Sequence, residues 1–200
     1  MWPVAGVIGE NGAFHYRYDR GRRRMERSYA LPVVELTENR ARLQRIAERV
    51  VREVPGTAVA ADQPFRISDF AIDFREDVPP LGMDAVDSIC RILASEGVSY
   101  RVSSIHVNYW VGSFDKMSGL RRFLHEGRGG ALGDEEERIL FIGDSPNDEP
   151  MFAALPHTIA VANIRRFLPR LVSLPEFVTE AETAAGFVEA ARRILTGRLR

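Results

Sequence analysis

The apolar pattern at the start of the chain is that of strands. Val4 to Ile8 is a short apolar run, Glu10-Asn11-Gly12 carries a turn signal and Ala13 to Tyr18 alternates, so the chain opens as strand, turn, strand. Asp19 to Arg27 breaks the pattern with Arg20, Arg22, Arg23, Arg24 and Arg27, and is expected to be a solvated connector. No aromatic residues interleave with these charges, as a face for single-stranded nucleic acid would require. Helical spacing follows: Leu43, Ile46, Ala47, Val50 and Val51 share a face, with Thr37 as the expected N-cap and Pro55-Gly56 as the stop. Phe65, Ile67, Phe70, Ile72 and Phe74, bounded by Pro64 and Pro79-Pro80, predict a strand. Val86, Ile89, Cys90 and Leu93 then mark one face of a helix from Met83 to Glu96, which makes Cys90 a core side chain. Gly97 ends this helix, and Val98 to Val111 reads as one or two strands.

After Gly112 strands and helices alternate. A helix from Asp115 to about Glu126 is followed by a surface loop over Gly127 to Glu137, a buried strand from Arg138 to Ile142 and a helical segment from Asn147 to Leu155. A strand from Thr158 to Val161 and a helix from Glu182 to Leu195 complete the chain. This order predicts an α/β fold with a parallel sheet, whose ligands sit beyond the carboxyl ends of the strands.

Composition narrows the function classes. The 200 residues, 45% apolar and 28% charged, suffice for one sizeable core or two small ones. A net charge of -1 leaves no electrostatic footprint for nucleic acid or an anionic membrane. The single cysteine excludes an internal disulfide and a multi-cysteine zinc site, and no apolar run reaches the roughly 20 residues that span a bilayer. Met1-Trp2-Pro3 does not open like a signal peptide, so the expected location is the cytoplasm. Of the 27 basic residues only Lys116 is a lysine. A compact ammonium fits tight sites that a guanidinium does not.

Two segments carry chemistry. Gly143-Asp144-Ser145-Pro146-Asn147-Asp148 follows a buried strand and opens a helix. Asp144 or Ser145 could simply cap that helix. The two carboxylates four residues apart at a parallel-sheet edge also suit Mg²⁺, which takes few protein carboxylates and leaves room for water and a substrate phosphate. Lys116 starts a helix, where a cation opposes the helix dipole. At a sheet's carboxyl edge it can instead neutralise a phosphate held beside a carboxylate.

With these residues the chain resembles the haloacid dehalogenase (HAD) superfamily of phosphohydrolases, in particular the capped Cof-type or sucrose-phosphatase-like branch. The resemblance rests on Ile8 to Ala13 as the segment entering the cap, on Lys116, and on Phe141 to Asp148 with Met151 downstream. It implies a Rossmann-like core formed by residues 1–19 and 107–200 around an inserted α/β cap over residues 20–106. It also implies Mg²⁺ on Asp144 with Asp148 in support, Asn147 holding the loop or the phosphate, and Lys116 neutralising phosphate and nucleophile. The implied activity is Mg²⁺-dependent hydrolysis of a small phosphorylated metabolite, with sugar phosphates as the implied class. The family's nucleophile motif, Asp-x-Asp, occurs nowhere in the 200 residues. The chain is therefore expected to be an N-terminally truncated phosphatase. Two alternatives remain open: a HAD-fold binding or interaction protein that turns nothing over, and complementation by a separate polypeptide carrying Asp-x-Asp.

Among lesser candidates, His106 with Asn108, Tyr109 and Trp110 could face substrate. Arg66, Asp69, Asp73 and Arg75 alternate between faces with no basis for choosing among them. His15, His125 and His157 share no metal-ligand spacing.

Overall fold

The computed structural model describes residues 4–128 and 136–197. It divides into two compact units, Met1–Phe123 and Leu124–Arg200. The expected loop over Gly127 to Glu137 lies mostly outside the described residues.

The first unit opens with β1 (Val7–Gly9), a 3₁₀ turn at Glu10–Gly12 and β2 (Phe14–Asp19), paired antiparallel as the alternation predicts. Glu10, Asn11 and Gly12 have φ of 45°, 54° and 94°, three consecutive left-handed residues. At the two non-glycine positions this costs on the order of 1–3 kcal/mol each, so other contacts must hold the turn. Gly12 is required for close approach as well: a Cβ there would lie 2.0 Å from the carbonyl oxygen of Asp115.

The arginine-rich connector is a correction. Its second half is β3 (Arg24–Tyr29), which completes a hairpin with β2. The pairing sets Arg17 opposite Glu26, joined by a 3.0 Å ion pair, and Arg27 opposite Tyr16, with the guanidinium over the ring. Charge and aromatic pairs therefore hold this strand without an apolar period.

The rest of the first unit is an α-β-β-α-β-β run. α1 (Val33–Glu53) and α2 (Met83–Ser95) accompany a four-stranded antiparallel sheet in the order β4 (Ala58–Val59), β5 (Phe70–Asp73), β7 (His106–Trp110), β6 (Ser99–Val102). Leu43, Ile46 and Val50 of α1 and Val86, Ile89 and Leu93 of α2 meet Phe70, Ile72, Val107 and Tyr109 in the largest buried cluster. Cys90 packs against its edge, as the helical face predicts. Gly97, at φ +65°, ends α2's last turn.

Two further expectations fail. Thr37 is not the N-cap of α1: the helix begins four residues earlier, after Pro32, and the Thr37 hydroxyl donates to the carbonyl of Val33 inside it. Only Phe70–Asp73 of the expected 65–74 strand is paired as a strand, and a 3₁₀ turn at Gln63–Phe65 precedes it. In that turn Gln63 accepts the N–H of Ala71 and donates to the carbonyl of Asp69, substituting for strand pairing. α3 (Lys116–Arg128) begins at the predicted place.

The second unit is the parallel sheet that the strand–helix alternation predicts. β8 (Leu140–Gly143), β9 (His157–Ala160) and β10 (Phe177–Val178) lie in the order β10-β9-β8, all parallel. Between β8 and β9 the chain forms a 3₁₀ turn at Pro146–Asp148 and α4 (Glu149–Ala154). α5 (Thr183–Leu195) is the last helix among the described residues, and Phe152, Ala160 and Ile164 form a buried cluster. The sequence reading did not include β10, which is two residues long.

The expected 19/20 junction between core and cap lies in the turn joining β2 to β3. The 106/107 junction lies at the first residue of β7.

Candidate active site

Asp144, Asn147 and Asp148 come together at the carboxyl end of β8, where open parallel sheets bind ligands. The Asp148 carboxylate, 2% exposed as a residue, folds back over the strand end. Its Oδ2 accepts the backbone N–H of Asp144 at 2.8 Å and of Ser145 at 3.1 Å. The N–H of Asp148 in turn donates to the Ser145 carbonyl at 3.0 Å. Ser145 Oγ lies 2.7 Å from Asn147 Oδ1 and 3.2 Å from Asp144 Oδ1, so one hydroxyl links the amide to the half-buried carboxylate. Gly143 makes this possible. A Cβ there would meet Asp148 Oδ2 at 2.6 Å and Cγ at 2.7 Å.

The capping and metal readings of this hexapeptide thus divide between its residues. Ser145 is the N-cap of the 146–148 turn, and Asp148 fixes the loop's backbone. That bonding holds Asp144 where the strand ends. Among the described residues no group of three or more His, Cys, Asp or Glu side chains could hold a metal. The donor set is therefore two carboxylates, one tied into the loop, beside an amide and a hydroxyl. That is poor for zinc, which takes three or four nitrogen or sulfur ligands. It fits Mg²⁺, which binds one or two carboxylates and keeps its remaining positions for water and phosphate.

Lys116 belongs to the first unit, as the first residue of α3. The helix start is held by reciprocal bonds: Ser118 N–H donates to Asp115 Oδ1 and Asp115 N–H to Ser118 Oγ, each 2.8 Å. The 10–12 turn seats on the same helix turn. Arg122 Nη2 donates to the Gly12 carbonyl at 2.6 Å, and a Cβ on Gly119 would meet Gly12 Cα at 2.5 Å.

A second polar cluster, for which the sequence offered no basis of choice, lies at the end of the four-stranded sheet. Asp69, 1% exposed, accepts from Arg66 Nη1 at 2.9 Å and from Asn11 Nδ2 at 3.3 Å. Arg66 also reaches both carboxylate oxygens of Asp62 and, at 3.3 Å, Asn108 Oδ1. The Glu10 carboxylate takes three consecutive backbone N–H groups, from Ile67 at 2.7 Å, Ser68 at 2.5 Å and Asp69 at 3.1 Å. Burial pushes the Asp69 carboxyl up to about 7, against Arg66 and with help from the Glu10 charge. Burial would lower Arg66, but its bonds to Asp62 and Asp69 overcome this and raise it. The signal for this cluster lies in pairs some 58 residues apart in sequence, which local pattern cannot supply.

The other candidates have structural partners. The Asp73 carboxylate accepts the N–H groups of Arg75, Glu76 and Asp77; burial would raise its carboxyl, but these bonds hold it below the usual range. His106 Nε2 stands 2.9 Å from Glu76 Oε2. Arg75 lies over the ring of Phe74, and His15 packs edge-on to Phe123.

No family model matches the chain. A phosphoglycolate phosphatase of Methanothermobacter thermautotrophicus (strain Delta H) is 29% identical over 130 residues, 65% of this chain; the match spans about half, 52%, of that relative's length. The sucrose-phosphatase of Synechocystis sp. PCC6803, solved with sucrose and phosphate, superposes with a TM-score of 0.58 at 16% identity. That superposition covers 92% of this chain and 71% of the other. A HAD subclass IIB sugar phosphatase gives a TM-score of 0.58 at 12% identity, over 96% of this chain and 76% of the other. Among the described residues no helix is long and apolar enough to cross a membrane. The mixed α/β architecture, with its parallel sheet and helices, is the Rossmann-like fold of these solved HAD-superfamily structures, and the residues around Lys116 and Asp144 resemble the motifs of that superfamily.

Proposed function

We propose that this chain carries the metal- and phosphate-binding part of a cytoplasmic HAD-type phosphatase acting on a small phosphorylated metabolite, with sugar phosphates the favoured class. The observation that carries the reading is the Gly143–Asp148 loop, whose bonding holds Asp144 at the carboxyl end of a parallel strand. In this reading residues 1–19 and 107–200 form the core and residues 20–106 the cap. Asp144 and Asp148 hold Mg²⁺, Asn147 orients the loop toward phosphate, and Lys116 neutralises phosphate and nucleophile charge. Bound Mg²⁺ would supply Lewis-acid polarisation of a phosphoryl oxygen. The residues themselves orient the phosphate and compensate its charge. Transfer to a carboxylate needs an attacking Asp, and the 200 residues contain no Asp-x-Asp.

The test is phosphate release from a panel of sugar phosphates, with and without Mg²⁺, by the native protein purified from its own cells, beside an Asp144→Ala form. In parallel, Mn²⁺ binding to the 200-residue chain is followed by electron paramagnetic resonance. The expected result is Mg²⁺-dependent release that falls on the order of 100-fold or more in Asp144→Ala, and Mn²⁺ binding that the same substitution weakens. Absence of release from every ester overturns the phosphatase reading. If Mn²⁺ and phosphate still bind, a non-catalytic binding protein takes its place.

A further inference from the structure

The 10–12 turn touches two things at once. On one side Glu10 takes the N–H groups of Ile67, Ser68 and Asp69, and Asn11 donates to Asp69. On the other, Gly12 lies against Asp115 and Gly119 in the first turn of α3 and accepts from Arg122. Three successive left-handed residues give this segment a backbone that relaxes when its anchors let go. Backbone N–H groups converging from consecutive residues form a concavity for an anion, and here the chain's own carboxylate fills it.

We propose that Glu10 is a positioning residue: by gripping the 67–69 loop while Gly12 is seated on α3, it fixes Lys116 relative to the four-stranded sheet. The functional weight of this latch rests on the phosphate-binding role given to Lys116 above; the latch itself does not. Asp69 makes the grip sensitive to pH. The groups facing it are Glu10 and Asn11 from the turn, Arg66 from its own loop with Asp62 and Asn108 bound to that guanidinium, and Tyr109 from β7. Asp69 is the member of this cluster whose carboxyl is moved into the neutral range. Its folded carboxyl titrates at about 7, above its ordinary value near 3.8. Burial of the ionised carboxylate, with the Glu10 charge beside it, outweighs the attraction of Arg66, so the folded group keeps its proton at pH values where a released one has lost it. Because a released carboxyl ionises near 3.8 and the gripped one near 7, the grip is full below about 3.8, weakens as pH rises to about 7, and is level above it.

Amide hydrogen exchange tests this, as protection factors corrected for intrinsic rates between pH 5.5 and 8.5. At pH 6, Glu10→Gln is expected to lower protection at Ile67, Ser68 and Asp69 about 10-fold, the scale of one bond to a charged acceptor, and to lower it also at Gly119 and Leu120. Glu10→Asp suits the same left-handed backbone but withdraws the carboxylate by one methylene, and should show the same loss. In the unsubstituted chain protection at 67–69 should fall as pH rises from 5.5 to about 7 and level off above it, and in Asp69→Asn it should stay level throughout. Unchanged protection at Gly119 and Leu120 in both Glu10 variants overturns the proposal, as does an undiminished pH dependence in Asp69→Asn. If the exchange results hold while the native protein releases no phosphate from any ester, the latch stands and the phosphatase reading falls.

Discussion

Gly143 shows how a single missing methyl can carry a site. The Asp148 carboxylate rests against its Cα because no Cβ intervenes, and two backbone N–H groups keep the carboxylate there. Gly143→Ala would place a methyl 2.6 Å from Oδ2, and the short, buried Asp148 side chain has no room to retreat without giving up those bonds. The expected outcome is a loss of about 1–3 kcal/mol in urea unfolding, together with weaker Mn²⁺ binding at Asp144. An unchanged midpoint and unchanged binding would show that the loop adjusts freely. The hexapeptide itself was legible in the sequence, because its spacing after an apolar strand is local. The bonding within it was not, since the two backbone N–H groups that Asp148 accepts cannot be read from spacing. Glu10 is the harder case: it stands inside a recognised motif, yet its partners are more than 50 residues away.

Elements held by apolar periodicity were readable, and those held by other means were not. α1, α2 and β7 bury the apolar side chains that their pattern marks, and the body of each stands where the pattern puts it. β3 is bound to β2 by an Arg17–Glu26 ion pair and an Arg27–Tyr16 contact, so its sequence looks like a solvated connector. β4 and β10, at two residues each, are too short for any period. The start of α1 was misplaced because Thr37 is a favourable cap residue in an otherwise helical stretch, whereas Pro32 fixes the turn that begins the helix. This difference is measurable. Were Thr37 the cap, Thr37→Ala would cost about 1 kcal/mol. Its hydroxyl instead bonds to Val33 within an exposed helix turn, so the substitution should change stability by less than about 0.5 kcal/mol in chemical denaturation.

At the scale of the molecule, the two units have separate buried clusters. One is built from α1, α2 and the four-stranded sheet, the other around Phe152, Ala160 and Ile164. A unit with its own core can open on its own, so damage to one cluster should be read locally before it is read globally. Ile89 is fully buried in the first cluster, and Ile89→Ala should cost about 2–5 kcal/mol through lost burial and the cavity left behind. Hydrogen exchange followed by mass spectrometry should then show faster exchange in peptides covering residues 83–110, with those covering 140–161 unchanged. Phe152→Ala should give the converse, because its ring packs with Phe141 at 5.8 Å between centroids inside the second cluster. Equal acceleration across both regions in either variant would mean that the chain unfolds as one cooperative body. The metal and phosphate residues of the second unit could not then be perturbed without the first, and activity lost in a mutant of either cluster would carry no information about the site.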